Sequence, residues 1–276
     1  MPVKTINIPP LPPFPIEVYD SGDRYVSTPV MRDGIIEPTE TAIVIKLLAN
    51  AVDFVDLGAN IGWYTLIAGH RLGGRGRVHS FEPDPDNFAK LSANVALNQL
   101  DNVAIHRCAV SDRAGTSMLY RSPSRDENPG DQQLYDSGGG RAAVPVEVRT
   151  LDSYADISPA RPVIVKMDTQ GSEARILRGM SVLLTRHRHE VVILSEFWPK
   201  GLVANGSPPQ EMIEFLSGAG FSALHISNER HVLTPVTWNY LAELTANDIA
   251  PATGQYVELV LFRKRDGLMQ ALFGKG

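Results

Sequence analysis

The residues best suited to chemistry are Asp56-Leu57-Gly58-Ala59-Asn60-Ile61-Gly62, which stand where an apolar run ends and a helical pattern begins. In doubly wound sheets, ligands bind outside the carboxyl ends of the strands, beside such a turn. The dinucleotide fingerprint G-x-G-x-x-G would need glycine at 58, 60 and 63, and the chain has Gly58, Asn60 and Trp63. Asp56, at the strand end, would repel a pyrophosphate but complements an ammonium group. Gly58 and Gly62 allow close backbone approach around Asn60, and the free N–H groups of the helix starting near Ile61 can hold a carboxylate. Glu82 ends the next strand, 24 residues after Gly58, where an acidic side chain accepts both hydroxyls of a ribose. An amino-acid moiety, a ribose and a sulfonium suited to an acid-lined site together describe S-adenosylmethionine. The alternative is that the glycines only shape a tight turn while Asp56 and Glu82 cap neighbouring helices.

Methyl transfer from a sulfonium to a hydroxyl requires in-line approach and removal of a proton, so a positioned base belongs near the methyl group. Asp168 and Glu196 close the fourth and fifth strands at the same edge of the sheet and are the candidates. Lys166 lies two residues before Asp168, on the same face of a buried strand, where a charge is costly without a partner. Structural readings stand beside these: a helix cap for Asp168, an ion pair for Lys166, and a plain sheet terminus for Glu196.

An alternation of apolar runs and helical stretches must position these groups. VDFVDLG, a helix over 61–72, RVHSFEP, a helix over 85–98 and a third strand around VAIHRCAV read β-α-β-α-β. The pattern resumes with PVIVKMD (162–168), a helix from about Ser172, EVVILSEF (190–197), a helix over 210–216, FSALHIS and a closing strand QYVELVLFRK. Nearly continuous apolar strands alternating with helices imply a mostly parallel α/β sheet, here of about seven strands. A helix from Thr39 leads into it through Ile43, Leu47 and Leu48. Proline-rich residues 1–15 should form an extended arm, packed on its own chain or swapped to join a homodimer; PPLP at 9–12 also reads as a ligand for a proline-binding module. The expected organisation is an arm and lead-in over 1–38 and one domain over 39–276, interrupted by a polar segment at 122–143. That segment reads as a lid that orders with acceptor, hinged at Gly138-Gly139-Gly140 and offering Arg125, Asp126, Asn128 and Gln132 for hydrogen bonds. Because the cofactor turn lies outside it, shortening it should spare cofactor affinity.

Lys plus Arg total 26 against 31 Asp plus Glu, a net charge of -5, which gives no general attraction to nucleic acid or to anionic lipid. The single cysteine, Cys108, cannot form an internal disulfide and belongs to no zinc-ligand spacing. Prolines break every apolar run at the start of the sequence and nowhere do 18 apolar residues follow one another, so no membrane partner and a cytoplasmic location are expected. His79 and His106 fall within strands, His187 and His189 at a helix end; none joins a metal triad, and no metal is expected. Trp63 and Phe81 could meet an adenosine or simply fill the core.

DLGANIGWYT, FEPDPDNFAKLSANVALN, RTLDSY (149–154) and VKMDTQGSEARILRGM together resemble the FkbM family of S-adenosylmethionine-dependent methyltransferases, from about residue 35 to about residue 200. The resemblance implies a class I methyltransferase fold, a Rossmann-like sheet in the order 3-2-1-4-5-7-6 with strand 7 antiparallel, and transfer of methyl to an oxygen. For this fold, Asp112 after the third strand could reach the adenine amino group, although a turn-forming Asp accounts for it equally well. One departure matters: members show Asp-x-Glu-Gly after the fourth strand, and here the Glu is Gln170. The expected activity is O-methylation of a small-molecule or saccharide hydroxyl. A non-catalytic scaffold is the competing reading; the broken glycine pattern opposes a nicotinamide-dependent oxidoreductase.

Overall fold

Asp53–Leu57 and Val163–Met167 are buried along their whole length, as strands covered on both faces must be. Alternate residues of the second run enter different cores. Ile164 packs with Phe54, Leu66 and Val192 on one face, and Val163, Val165 and Met167 with Leu57, Leu177 and Ile193 on the other. The computed structural model describes residues 1–20, 22–50, 52–124, 127–154, 157, 161–187, 191–246, 256–263 and 272.

Strands β1 (Val3–Ile6) and β2 (Phe14–Glu17) and helices α1 (Ser27–Asp33) and α2 (Pro38–Leu47) precede the central sheet. The first half follows as β3 (Asp53–Leu57), α3 (Trp63–Leu72), β4 (Val78–Phe81), α4 (Pro85–Leu97) and β5 (Val103–His106). Three strands then leave the sheet: β6 (Ala109–Val110), β7 (Gly115–Tyr120) and β8 (Ala143–Arg149). The second half is β9 (Val163–Met167), α5 (Glu173–Gly179), α6 (Ser181–Arg186), β10 (Val191–Phe197), α7 (Pro199–Ala204) and α8 (Pro209–Gly218). The chain continues with β11 (Phe221–Ser227), β12 (Val232–Val236), α9 (Trp238–Ala246) and β13 (Val257–Arg263).

The central sheet runs β12-β11-β13-β10-β9-β3-β4-β5. β5, β4, β3, β9 and β10 are parallel, and β13 enters antiparallel between β10 and β11. With β12 set aside, this is the 3-2-1-4-5-7-6 order of a class I methyltransferase. The expected seven strands become eight among the described residues, because β12 folds back antiparallel on β11. Pro235, next to the end of β12, argues against a strand anywhere but at a sheet edge, and β12 is at the edge.

The third apolar run divides. Val103–His106 joins the central sheet, while Ala109–Val110 turns away to pair with β8 in a second sheet of order β6-β8-β7. β7 and β8 pair antiparallel from Gly115↔Val148 to Tyr120↔Ala143, so the described residues between them, 121–124 and 127–142, lie in the connection of a long hairpin.

At the start of the chain, β1 and β2 pair antiparallel and bury Ile6, Phe14 and Ile16 completely. Helix α4 holds this pair. Glu17 N donates to Asn94 Oδ1 at 2.7 Å, Asn98 Nδ2 donates to Pro15 O at 2.8 Å, and Lys90 pairs with Glu17 at 2.7 Å. α4 itself begins where Asp84 accepts from the Asp86 and Asn87 N–H groups, with Pro85 in its first turn. No helix among the described residues is long and apolar enough to cross a membrane.

Candidate active site

The turn after β3 needs both of its glycines. Gly58 and Gly62 have φ of +85° and +100°, which side chains other than glycine rarely adopt. A Cβ at Gly58 would lie 2.1 Å from the Asp168 carbonyl oxygen, and one at Gly62 would lie 2.8 Å from Leu91 Cδ1. The Asn60 N–H between them donates to Glu82 Oε2 at 2.8 Å, and the Asp84 N–H donates to Glu82 Oε1 at 2.8 Å. One carboxylate therefore ties the first strand-to-helix turn to the second. Asp56, also buried, accepts from Thr65 Oγ1 at 2.7 Å, and Thr65 Oγ1 lies 2.8 Å from Ser80 Oγ. Burial pushes Asp56 up to about 6 and Glu82 up to about 8, against the hydrogen bonds each accepts.

A cavity of about 410 Å³ opens over this turn. Asp56, Gly58, Asn60 and Glu82 line one part of it; Lys166, Asp168 and Glu196 line another. The strand register explains the meeting: Asp56 on β3 is the neighbour of Lys166 on β9, and Glu196 on β10 is directly opposite Glu258 on β13. Lys166 has the partners its burial demands. Its Nζ lies 3.5 Å from Glu40 Oε1, 3.8 Å from Asp168 Oδ2 and 4.7 Å from the centre of the Tyr64 ring. Burial alone would lower Lys166, but Glu40, Asp168, Glu37 and Glu258 hold its ammonium well above the usual range. Burial, then the Asp168 and Glu173 charges, push Glu196 well above the usual carboxylate range. Asp168 is 44% exposed and accepts from Gln170 Nε2 at 3.1 Å. A glutamate at 170 would set a like charge beside Asp168; the glutamine here supplies a donor instead.

The other expected residues fall elsewhere. Asp112 is not brought to the cavity: its carboxylate lies 3.2 Å from Arg178 Nη2 and 3.8 Å from Arg175 Nη1, and these guanidiniums, against the effect of burial, hold it below its usual range. His79 and His106 stack on each other at 5.8 Å, and Phe81 stacks on His106 at 4.5 Å. His187 is buried with Nδ1 3.0 Å from Leu183 O, and His189 lies outside the described residues. Trp63 and Phe81 are both buried, yet both reach the cavity wall.

Sequence reasoning missed Glu37, Glu40, Tyr64 and Glu258. Glu37 precedes α2 in a left-handed conformation (φ +43°) and accepts from Tyr64 Oη at 2.7 Å. Burial, then Glu40, push Glu37 up to about 7. One signal was available, since Glu40 stands just ahead of the apolar stretch Ala42-Ile43-Val44-Ile45 in α2, and it is 2% exposed.

The 122–143 segment also differs from expectation. Arg121, just before it, pairs with Asp84 at 2.7 Å; Asn87 Nδ2 donates to Pro129 O at 3.0 Å; Arg24 N donates to Glu127 O at 2.8 Å. A Cβ at Gly130 would lie 2.9 Å from Asn60 Nδ2, so the segment rests on the cofactor turn. Asn128 and Gln132 line the cavity, whereas Arg125 and Asp126 lie outside the described residues. These contacts put described residues of the segment beside Asn60, where the sequence alone leads one to expect a loop apart from the turn.

The Methyltransferase FkbM domain family matches residues 56–223, from the turn through to β11. The chain belongs to the FkbM methyltransferase family. Within this family's reach, 31-O-demethyl-FK506 methyltransferase FkbM of Streptomyces tacrolimicus is 31% identical over 152 residues, covering 45% of this chain and 58% of that protein. Methyltransferase 1 of Beauveria bassiana (strain ARSEF 2860) is 27% identical over 146 residues, covering 46% of this chain and 57% of that protein. The chain thus spans somewhat over half the length of the curated relatives it matches. Among solved structures it is distantly similar to methyltransferase FkbM from Methylobacillus flagellatus KT, with TM-score 0.44, 17% identity, 77% of this chain and 44% of that one covered. A SAM dependent methyltransferase from Aquifex aeolicus has TM-score 0.40 and 13% identity, covering 81% of this chain and 87% of that one.

S-adenosylmethionine, the cofactor expected from the sequence, is one that the residues present fit. Asn60 lines the cavity, and its buried Oδ1 accepts from no donor among the described residues. Asp56 would take the α-ammonium, the amides opening α3 the carboxylate, and Glu82 the ribose hydroxyls.

Proposed function

We propose that this FkbM-family methyltransferase transfers methyl to a hydroxyl of a small molecule or saccharide. The observation that carries this reading is the position of Asp168 and Glu196 at adjacent strand ends, on the wall of the same cavity as Asp56 and Glu82. When bound, S-adenosylmethionine supplies an electrophilic methyl group on its sulfur. The chain's part is to orient the donor through Asp56 and Glu82 and to take the acceptor proton at Asp168 or Glu196. Glu196, raised by burial, is a stronger base than an ordinary carboxylate, and Asp168 keeps an amide donor from Gln170 beside it. The Streptomyces relative, a 31-O-demethyl-FK506 methyltransferase, supports an oxygen acceptor on a small molecule.

The test is incubation with methyl-labelled S-adenosylmethionine and a panel of macrolide, sugar and phenol hydroxyls beside amine and carboxylic-acid acceptors. Label on a hydroxyl oxygen, located by mass spectrometry, is the expected result. Label only on amines or acids would overturn the oxygen assignment. Tight S-adenosylhomocysteine binding without turnover on any acceptor would favour the scaffold reading.

A further inference from the structure

Three carboxylates that the cofactor turn does not use meet at another wall of the cavity. Glu37 precedes α2, Glu40 lies in its first turn, and Glu258 is on β13. One oxygen of each lies within 4.8 Å of those of the other two. Glu37 and Glu258 line the cavity, and Glu40 lies behind them, 2% exposed. We propose that Glu37, Glu40 and Glu258 hold one divalent, oxygen-preferring cation of the Mg²⁺ or Mn²⁺ class.

A group of acids is not in itself a cation site, and a second observation points to the ligand. Glu40 Oε2 is buried and accepts from no donor among the described residues, while its other oxygen is 3.5 Å from Lys166. With only the acid Glu258 to share a proton with, and no neutral or cationic donor beside this oxygen among the described residues, the buried carboxylate calls for a positive partner. The charge around it is lopsided in the same sense. Glu258 faces Glu196 directly across the β10–β13 pair, and Asp168 lies 3.8 Å from Lys166, so among the described residues the Lys166 ammonium faces five acids there. Tyr64 adds a donor to Glu37 but no charge.

The donor set identifies the class of ion. All three ligands are carboxylates, which suit Mg²⁺, Mn²⁺ or Ca²⁺, whereas zinc and copper sites draw on imidazole and thiolate. A cation held by two cavity-lining acids and one behind them keeps coordination positions toward the cavity, as Mg²⁺ sites with few protein ligands do. The site stands on these residues alone and does not depend on which acceptor is methylated.

The experiment is Mn²⁺ titration of the full chain without cofactor, followed by the electron paramagnetic resonance signal of free Mn²⁺, with Mg²⁺ as competitor. One Mn²⁺ per chain, displaced by Mg²⁺, is expected. Glu258→Gln and Glu40→Gln should each weaken it about tenfold or more, since even groups that only support a metal ligand cost that much. Glu214→Gln, on the exposed face of α8, should bind as the parent does. Circular dichroism checks each fold, and should Glu40→Gln unfold, Glu37→Gln on the cavity wall gives the same reading. If no Mn²⁺ is retained at millimolar concentration, protons alone neutralise the trio and the proposal fails. It fails equally if the glutamine variants bind as tightly as the parent, which would place the ion elsewhere.

Discussion

Gly58 lies against Asp168 backbone to backbone: a Cβ on Gly58 would stand 2.1 Å from the Asp168 carbonyl oxygen, while Asp168 N donates to Leu57 O at 3.1 Å. The Gly58 turn and the end of β9 that carries Asp168 are thus tied directly together. Gly58→Ala must displace Asp168 and adopt φ near +85°, and should cost about 2–4 kcal/mol of stability by urea denaturation. A loss under about 0.5 kcal/mol would show that the two strand ends can part freely.

Glu82 joins two backbone amides and faces the cavity, so its removal strips the ribose site and frees both N–H groups. Glu82→Ala should weaken S-adenosylmethionine binding by about one to two orders of magnitude in calorimetry. Unchanged affinity in a folded variant would end the ribose assignment.

Amide variants separate chemistry from binding. Asp168→Asn or Glu196→Gln should lower turnover far more than it lowers cofactor affinity, because these groups line the cavity apart from the Gly58–Gly62 turn. Parental turnover in both variants would move the proton acceptor elsewhere, with Glu37 next to test.

The buried acids predict a pH dependence of stability. Asp56 rises from 3.8 to about 6 and Glu82 from 4.5 to about 8 on folding, so over that window the folded chain binds more protons than the unfolded one. Stability is therefore full below the unfolded values and falls as pH rises toward about 8. Thermal melts of the ligand-free protein should show a lower Tm at about pH 8.5 than at about pH 6, and Glu82→Gln should flatten the decline. A Tm that climbs over this interval would contradict the assignment.

Replacing residues 124–140 by a short Gly-Ser linker removes Asn128, Gly130 and Gln132 from the cavity and uncovers Asn60. S-adenosylhomocysteine affinity should fall about tenfold, the equivalent of one or two lost hydrogen bonds, together with methyl transfer. Retained affinity with lost transfer would restore the acceptor-only lid expected from sequence.

Local features of the chain were legible without coordinates. The Gly58-Ala59-Asn60-Ile61-Gly62 turn, Glu82 at the next strand end and the alternation of buried strands with helices depend on neighbours in sequence, so residue order carries them. Lys166 could likewise be said to need a partner, because a charge two residues from a strand end inside an apolar run has no other solution. Which partner it took was beyond reach. Glu37 and Glu40 meet Glu258 only because β13 inserts antiparallel beside β10 and α2 packs on the same face, and hydrophobic period encodes neither pairing nor register across more than 200 residues. For the same reason Asp112 could not be foreseen as a partner of Arg175 and Arg178 on α5, nor β12 as an eighth strand around Pro235. The sequence by itself determined the strand-to-helix rhythm and the cofactor turn, which are short-range properties. The tertiary structure alone decided the acid cluster, the course of 122–143 over Asn60 and the capture of Asp112, because each is a contact between surfaces that come together only when the sheet closes its order.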